Sequence, residues 1–296
     1  MSDNKETSTV PAREDFRFFH RLRVRWAEVD MQKIVFNAHY LMYFDTAIAD
    51  YWRALALPYE EAMLHLEGDL YVRKATVDYR ASGRVDDVLD VAMKCRRIGN
   101  SSLVFDGALF RRDQYLVGCE LVYVFADPAT QTSRPVPAPL REILLGYEAG
   151  EAMTRVETGD WDTLGAEAGG LRRLVFIDEQ GIPEDMEWDL DDARSTHAVV
   201  RNRLGQVVGA ARLLPADAQG VAHVGRVAVH RVLRGGGHGE ALMAELESVA
   251  RARGDRAIAL NAQRSAERFY LRQGYAVSGE PFEEVGIPHI EMRKAL

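Results

Sequence analysis

Cysteine is scarce in this chain, with only Cys95 and Cys119 among its 296 residues. Both lie in apolar, strand-like runs, where a thiol packs like a small hydrophobic side chain. So few cysteines, placed in this way, indicate a reducing compartment, and we expect a cytoplasmic protein. No CxxC pair or His/Cys cluster has the spacing of metal ligands, so no metal site is predicted.

Long apolar runs and an excess of basic residues are also missing. No apolar stretch approaches the roughly 20 residues that a membrane-spanning helix needs. The start, MSDNKETSTVPARED, is polar and lacks the apolar core of a secretory signal, so residues 1–15 are expected to form a disordered lead. The net charge is −8, whereas binding of nucleic acid needs a basic face. We therefore expect neither a membrane nor nucleic acid as a partner.

The length and the composition of the chain indicate two globular domains. A single hydrophobic core rarely serves 296 residues, and the hydrophobic fraction of 47% is ordinary for a globular protein. The clearest linker runs from Asp127 to Leu140 and is rich in Pro, Ser and Thr. A short helical piece follows it, so we place the boundary near Gly150, with domains at 16–150 and 151–296. The halves share no repeat, which indicates a fusion of unlike modules.

The first domain is predicted to be α+β, with an antiparallel sheet wrapped around one long helix. Leu22, Val24 and Trp26 alternate with arginines, which is typical of a strand with one solvated face and places Trp26 in the core. Residues 38–57 have helical spacing and a narrow polar stripe, which indicates a largely enclosed helix. Four meandering strand candidates follow, separated by turn residues: Leu70–Tyr79, Val88–Ile98, Ser101–Phe110 and Tyr115–Phe125.

The segment between the first strand and the helix contains the residues best suited to chemistry. Asp30 is an isolated carboxylate there, and Asn37 stands at the expected N-cap of the helix. The amides of a first helical turn carry partial positive charge and can polarise a carbonyl as an oxyanion hole does. A carboxylate opposite them can attack that carbonyl or activate a water. The competing interpretation makes Asp30 an ordinary turn or capping residue.

This segment resembles the signature of the 4-hydroxybenzoyl-CoA thioesterase branch of the hotdog superfamily, which includes YbgC-like and FadM-like acyl-CoA thioesterases. The matching positions are Asp30, Asn37, Ala38 and Tyr40. The later strand pair RRIGNSSLVFDGALF also resembles the family, and the likeness covers about residues 18–147. Two positions depart from the pattern, because Val29 replaces a frequent Thr or Ser and Lys33 replaces a frequent Gly.

The resemblance implies a hotdog fold and hydrolysis of acyl-CoA. Asp30 would be the base or the nucleophile, and Asn37 and Tyr40 would belong to the catalytic segment. The helix amides near His39 and Tyr40 would hold the thioester carbonyl, which places His39 beside the CoA group. The family site lies between subunits, so a homodimer or tetramer is implied. A hydratase is the less favoured alternative, because hydratase sites generally pair the Asp with a His on a different motif.

The second domain contains a glycine loop between a strand and a helix. Val224, Val227 and Val229 form a short apolar strand, RGGGHG follows, and a helix with one apolar face ends at Gly254. This order lets successive backbone amides surround a phosphate, because glycines permit close approach. The loop matches neither the dinucleotide fingerprint GxGxxG with a downstream acid nor the ATP loop GxxxxGK[ST].

The loop does match R/Q-x-x-G-x-G/A, the pyrophosphate motif of the GNAT superfamily, through Arg234, Gly237 and Gly239. A hairpin over residues 196–215 and a later strand–helix pair follow in the family order. The preceding segment LRRLVFIDEQGIPEDMEWDLDD resembles the ElaA-like branch in particular. The likeness covers about residues 152–296, and it implies an α/β fold with a mixed central sheet and flanking helices.

By this resemblance the second domain binds acyl-CoA and transfers the acyl group to an amine. The residues assigned to CoA are Val227, Ala228, Val229, Arg234, Gly235, Gly236, Gly237, His238, Gly239 and Asn261. Tyr270 would protonate the leaving CoA thiolate, Glu179 is the first candidate for the base that deprotonates the amine, and His289 is the second. Each also has a structural interpretation: Tyr270 in the core, Glu179 as a cap or a partner of Arg172, and His289 at a strand start.

Eight carboxylates and no basic residue lie between Asp178 and Asp192. Such a run is usually a solvated face, and the alternative is that it attracts a cationic amine. The leading hypothesis is a bifunctional enzyme that uses acyl-CoA as the substrate of both domains. The alternative keeps the thioesterase and makes the GNAT domain a non-catalytic, acyl-CoA-binding regulatory module.

Overall fold

The computed structural model describes residues 10–296, and the chain folds into two compact units that divide between Met153 and Thr154. Most of the expected lead, residues 1–9, lies outside the described part. Its last residues, Arg13–Asp15, form a 3-10 turn, and Arg13 makes an ion pair of 2.9 Å with Asp90. Within residues 10–296, no helix is both long enough and apolar enough to cross a membrane.

The first unit is a five-stranded antiparallel sheet with a long helix packed on it, as the hotdog prediction requires. Its strands are β1 (Phe18–Arg23), β2 (Asp69–Tyr79), β3 (Val88–Ile98), β4 (Ser102–Arg111) and β5 (Gln114–Ala126). Its helices are α1 (Asn37–Ala54), α2 (Tyr59–His65) and α3 (Ala138–Glu148). The bounds predicted for β2 to β5 agree with the observed ones to within one residue at each end.

The strand order is β1-β3-β4-β5-β2, which differs from the predicted meander. β3, β4 and β5 pair in succession, but β2 pairs with β5 and forms an edge of the sheet. The alternation of apolar and polar residues predicts where a strand begins and ends, whereas the pairing partner depends on the connections between strands.

α1 buries one face against the sheet, where Tyr51 and Trp52 pack edge-on against Phe105 of β4 with ring centroids 5.4 and 6.3 Å apart. The opposite face is exposed and includes the apolar Leu41 and Met42. The prediction of a largely enclosed helix is therefore wrong for the single chain, because one sheet covers only one side of a helix.

Trp26 is also not in the core. The first strand ends at Arg23, and Trp26 begins a 3-10 turn in which 83% of its surface is exposed. The alternation of Leu22, Val24 and Trp26 continues past the point where the backbone leaves the sheet, so only the first two are shielded.

The second unit has an eight-stranded mixed sheet with helices on it, as predicted for a GNAT fold. Its strands are β6 (Thr154–Gly159), β7 (Thr196–Asn202), β8 (Val207–Leu213), β9 (Val221–Val229), β10 (Ala257–Gln263), β11 (Ala276–Val277), β12 (Phe282–Glu284) and β13 (Ile287–Ala295). Its helices are α4 (Trp161–Arg172), α5 (Glu184–Glu187), α6 (His238–Arg253) and α7 (Glu267–Arg272). The order is β11-β13-β10-β9-β8-β7-β6, with β12 on β13.

The central strands β9 and β10 are parallel but pair only at their beginnings. The three paired positions join residues 257–259 of β10 to residues 221–223 of β9. Beyond them both strands continue, to Val229 and Gln263, without pairing to each other. The sheet therefore opens between the carboxyl ends of β9 and β10, where backbone groups of both strands are available to a ligand.

Candidate functional sites

Asp30 lies at the start of a tight loop that precedes α1. Its backbone N–H donates to the Ile34 carbonyl at 2.9 Å, and its Oδ1 accepts the backbone N–H of Gln32 at 2.8 Å. Lys33 has a left-handed φ of +62° in this loop. The family frequently has glycine at the position of Lys33, and this left-handed φ explains that preference because glycine adopts it without strain. The loop holds the carboxylate in place through a backbone amide.

Asn37 is the first residue of α1 and not its N-cap. The cap position is Phe36, and no side chain makes a capping hydrogen bond there. The Phe36 N–H donates to the Glu28 carbonyl at 2.9 Å, and the His39 N–H donates back to the Phe36 carbonyl at 2.9 Å. The prediction of side-chain capping by Asn37 is therefore wrong, because the chain enters the helix one residue earlier.

Tyr40 is buried under the same loop. Its hydroxyl accepts the N–H of Gly83 at 2.9 Å, and its ring packs edge-on against Tyr79 at 5.6 Å. Burial raises the pKa of Tyr40, and the nearby charges of Asp87 and Asp30 act in the same direction. Tyr40 thus ties α1 to the backbone of Gly83, and its phenol is held in the neutral form.

Glu28 supports the loop and was not identified from the sequence. This buried carboxylate accepts the Tyr43 hydroxyl at 2.8 Å and the backbone N–H of Arg25 at 2.7 Å. Burial opposes its ionisation, but the bonds from Arg25 and Tyr43 lower the pKa of Glu28 on balance. Its only sequence signal is its place two residues before Asp30, since a glutamate in a short turn between a strand and a helix is ordinarily exposed.

The surface near Asp30 is apolar and uncovered in the single chain. Met31 is fully exposed, and Trp26 and Phe36 are also largely exposed. Exposed apolar groups beside a carboxylate are typical of a surface that another chain or a ligand covers.

In the second unit, the glycine loop follows β9 and leads into α6. Gly237 is the N-cap of α6 and has a left-handed φ of +85°. A Cβ at Gly239 would lie 3.0 Å from the Phe269 ring, so only glycine fits there without a shift. His238 is buried in the first turn, and burial lowers its pKa, which keeps the imidazole neutral. The loop therefore presents backbone amides at a helix N-terminus, the arrangement that binds phosphate.

Tyr270 lies on α7, the helix that follows β10. It is buried beside Phe269 and Tyr275, with ring centroids 4.9 and 5.9 Å away. Within the described residues its hydroxyl makes no hydrogen bond. Burial raises the pKa of Tyr270 to about 12, so the phenol carries its proton at neutral pH.

Glu179 ends a π-helix, Arg173–Glu179, that continues from α4. Its two carboxylate oxygens accept hydrogen bonds from Nη1 and Nη2 of Arg234 at 2.7 and 2.6 Å. Nε of Arg234 donates to the Val229 carbonyl at 3.1 Å. The hydrogen bonds from Arg234 hold the pKa of Glu179 below its ordinary value. The structure thus pairs Glu179 with the glycine loop and not with Arg172.

The other two residues of this set lie on neighbouring strands. Asn261 is exposed on β10 opposite Glu291 of β13. His289 is buried, with Nδ1 2.7 Å from the Ile287 carbonyl and its ring stacked on Phe282 at 5.8 Å. Both positions lie where β10 has separated from β9.

The acidic stretch is mostly occupied by ion pairs. Six of its eight carboxylates bind arginines: Glu179, Glu184, Glu187, Asp189, Asp191 and Asp192. At its centre Arg172, 1% exposed, binds Glu187 at 2.6 Å and Asp192 at 2.7 Å. Its guanidinium also lies 5.5 and 5.0 Å from the rings of Trp161 and Trp188. This run therefore holds the unit together and offers little unpaired charge to a cationic amine.

Comparisons with known proteins match a part of each unit to a different family. The sequence model of the family described as "Thioesterase superfamily" matches residues 32–117, and that of "Acetyltransferase (GNAT) domain" matches residues 168–296. An uncharacterized N-acetyltransferase of Bacillus subtilis, YjcF, is 37% identical over 125 residues, which cover 42% of this chain and 87% of the relative.

Two Escherichia coli proteins are also similar to the chain. The acyl-CoA thioester hydrolase YbgC is 26% identical over 117 residues, which cover 39% of this chain and 87% of YbgC. The crystal structure of ElaA matches with 28% identity and a TM-score of 0.44, covering 48% of this chain and 99% of ElaA. The chain therefore belongs to the GNAT acetyltransferases through its second unit, and its first unit contains the segment that the thioesterase superfamily model matches. Both families use acyl-CoA.

Proposed function

We propose that the chain is a bifunctional enzyme of coenzyme A thioesters. Its first domain, 16–150, hydrolyses acyl-CoA, and its second, 151–296, transfers an acyl or acetyl group from CoA to an amine. The observation that carries the proposal is that one chain contains both sites. The first unit has Asp30 in the loop before α1, and the second has a glycine loop at the open end of β9 and β10. The names of YbgC and YjcF, a hydrolase and an N-acetyltransferase, support it.

In the hydrolytic reaction, the thioester carbonyl lies at the first turn of α1. The resemblance assigned the carbonyl to the amides near His39 and Tyr40, but the His39 N–H donates to the Phe36 carbonyl at 2.9 Å. The assignment therefore moves to the N–H groups of Asn37 and Ala38 in the same turn, which stabilise negative charge on the carbonyl oxygen.

Asp30 either takes a proton from the attacking water or attacks the carbonyl carbon itself. In the first route water adds to the carbonyl carbon, the C–S bond breaks, and the acid and CoA leave. In the second route breaking of the C–S bond releases CoA and leaves an anhydride between the acyl group and Asp30, which water then hydrolyses to the acid and free Asp30.

In the transfer reaction, CoA lies along β9 with its pyrophosphate on the amides of Gly235–Gly239. The backbone of Val227–Val229, on the side of β9 that no longer pairs with β10, binds the pantetheine arm. A neutral amine attacks the thioester carbon, the C–S bond breaks, and Tyr270 gives its proton to the thiolate. A phenol with a pKa of about 12 is fully protonated before the reaction and so is ready to act as an acid.

The base that deprotonates the amine is assigned first to Glu179 and second to His289. Arg234 binds Glu179 and weakens it as a base while the pair is closed. Because Arg234 also belongs to the loop assigned to pyrophosphate, CoA competes with Glu179 for the same guanidinium. Binding of CoA is therefore expected to free the Glu179 carboxylate from Arg234. For this reason Glu179 remains the first candidate for the general base and His289 the second.

The assay that tests the proposal follows thiol release from a panel of acyl-CoAs, with and without amine acceptors. Release without amine measures hydrolysis, and the increase on adding an amine measures transfer. If no acyl-CoA is cleaved in either condition, the bifunctional assignment is wrong. Amine-independent release alone would favour the alternative, in which the GNAT domain only binds acyl-CoA.

Replacement of Tyr270 by Phe separates catalysis from sensing. The variant keeps the ring contacts but loses the acid, so we expect the transfer rate to fall about 10²-fold with little change in the Kd of CoA. Tyr275→Phe, a buried tyrosine outside the proposed reaction, is the matched control. Unchanged amine-dependent release in Tyr270→Phe would contradict the acid role.

The exposed edge of the first sheet predicts a homodimer. β2 pairs on one side with β5 only, and Val72 on this edge is 54% exposed. An unpaired, partly apolar edge is a template for pairing with a second chain. We expect light scattering to give about twice the 33.2 kDa mass of the chain, and Val72→Lys to shift the mass towards the monomer. Leu64→Lys, at an exposed position on α2, is the control, and a monomeric wild type would rule out this interface.

A further inference from the structure

Arg226 has a backbone conformation that is unusual for a residue within a strand. Its φ is +53°, in the left-handed region that is unfavourable for any residue except glycine. The β8–β9 pairing runs from Ala210 with Ala228 to Arg212 with Gly225, so Arg226 and Val227 together stand opposite Ala211 alone. Arg226 therefore lies in a bulge in β9.

The side chain of Arg226 anchors this bulge to the buried acidic segment. Its Nε and Nη2 donate to the Glu187 carbonyl at 3.1 and 3.0 Å, and the guanidinium makes ion pairs of 3.0 Å with the Glu187 carboxylate and 3.1 Å with Asp189. Glu187 is itself buried and held by Arg172. The bulge is thus tied by several bonds to a segment that cannot easily move.

The bulge lies within the part of β9 that does not pair with β10, because His223 is the last residue of β9 in that pairing. Val227 shares the bulge with Arg226, Ala228 and Val229 follow it, and the glycine loop begins a few residues later. The torsion of Arg226 therefore sets the direction in which the amides and carbonyls of these three residues point. The bonds of Arg226 to Glu187 and Asp189 hold this left-handed backbone in one orientation, whereas without them the bulged residues can adopt other torsions.

We infer that Arg226 is a positioning residue for acyl transfer, whose anchored left-handed backbone orients Val227–Val229 for the thioester end of acyl-CoA. This inference rests on the proposed transferase function of the second domain. In this inference the acidic segment, residues 178–192, holds the acyl-binding part of β9 in place and does not serve to attract a cationic amine. Arg226 itself touches neither the acyl group nor the amine in this assignment.

Two substitutions separate the torsion from the anchor. Arg226→Gly removes the side-chain bonds but keeps a residue that adopts a φ of +53° freely. Arg226→Ala removes the bonds and also disfavours that torsion. We expect both variants to bind acetyl-CoA more weakly and to transfer more slowly, in the order wild type, Gly, Ala, with Ala reduced at least tenfold and Gly recovering part of the loss. The KM for the amine should change much less than kcat.

The measurements are made on the full chain, at temperatures well below each variant's Tm. Acetyl-CoA and free CoA are titrated by calorimetry, so that one readout does not require turnover, and kcat is then measured with the amine. The control is Arg194→Ala, which removes an exposed ion pair with Asp191 from the same segment. If the wild type binds acetyl-CoA but transfers to no amine, the transferase assignment fails, while the order of acetyl-CoA affinities still tests Arg226.

Equal acetyl-CoA affinity and kcat in wild type and Arg226→Gly would overturn the inference, as would an Ala variant that is no worse than the Gly variant. A loss of Tm alone, with affinity and kcat unchanged, would also overturn it, because Arg226 would then be a purely structural residue. If Arg226→Ala does not fold, the Gly variant decides: a folded protein with unaltered acetyl-CoA binding rules out positioning.

Discussion

Asp30→Asn is expected to lower amine-independent release of CoA by about 10³-fold, in the range found for loss of a general base. The asparagine side chain has nearly the same shape, and its Oδ1 can still accept the Gln32 N–H that binds Asp30 at 2.8 Å. The loop before α1 should therefore keep its structure while losing the carboxylate that attacks or activates water. Thiol release from the preferred acyl-CoA measures the effect.

The amine-dependent reaction gives the control for Asp30. The second unit has its own core and its own glycine loop, so Asp30→Asn should leave the transfer rate within about twofold of the wild-type rate. A twofold change in rate corresponds to much less than the ~1.4 kcal/mol of a tenfold change. Asp45→Asn, at an exposed carboxylate on α1, should change neither activity. Equal loss of both activities in Asp30→Asn would mean a shared site, and unchanged hydrolysis would remove Asp30 from the reaction.

Arg172→Ala is expected to destabilise the second unit by about 3–5 kcal/mol, the cost of removing one partner from a buried ion pair. The substitution leaves the carboxylates of Glu187 and Asp192 buried, with Glu187 only 2% exposed, and without their bonds of 2.6 and 2.7 Å. It also removes the guanidinium that contacts Trp161 and Trp188, whose ring centroids lie 5.5 and 5.0 Å from its carbon.

Denaturant unfolding followed by tryptophan fluorescence measures the free energy of unfolding of the second unit. The two units are separate compact bodies, so the transition of the first unit is an internal reference that should not move. Arg155→Ala, which breaks an exposed pair with Glu157, is the matched control and should cost no more than about 1 kcal/mol. A loss in Arg172→Ala as small as in this control would contradict a stabilising role for the buried pair.

Local patterns in the sequence determined the elements and the two families. Strands β2 to β5 are runs rich in apolar and β-branched residues, and turn residues separate them, so their bounds follow from the chain itself. The glycine loop is equally local, because Arg234 to Gly239 are consecutive and lead directly into α6. The segment around Asp30 is also continuous, which is why its resemblance to thioesterases is visible without a structure.

Only the tertiary structure decided the pairings between distant residues. The edge position of β2, the exposure of Trp26 and the pairing of Glu179 with Arg234 depend on residues far apart in sequence. A carboxylate in a charged run looks the same whether it faces water or a buried guanidinium, so the run around Glu187 was indistinguishable from a solvated surface. The left-handed torsion of Arg226 likewise has no local signal, because the ion pairs that hold it join segments about 40 residues apart.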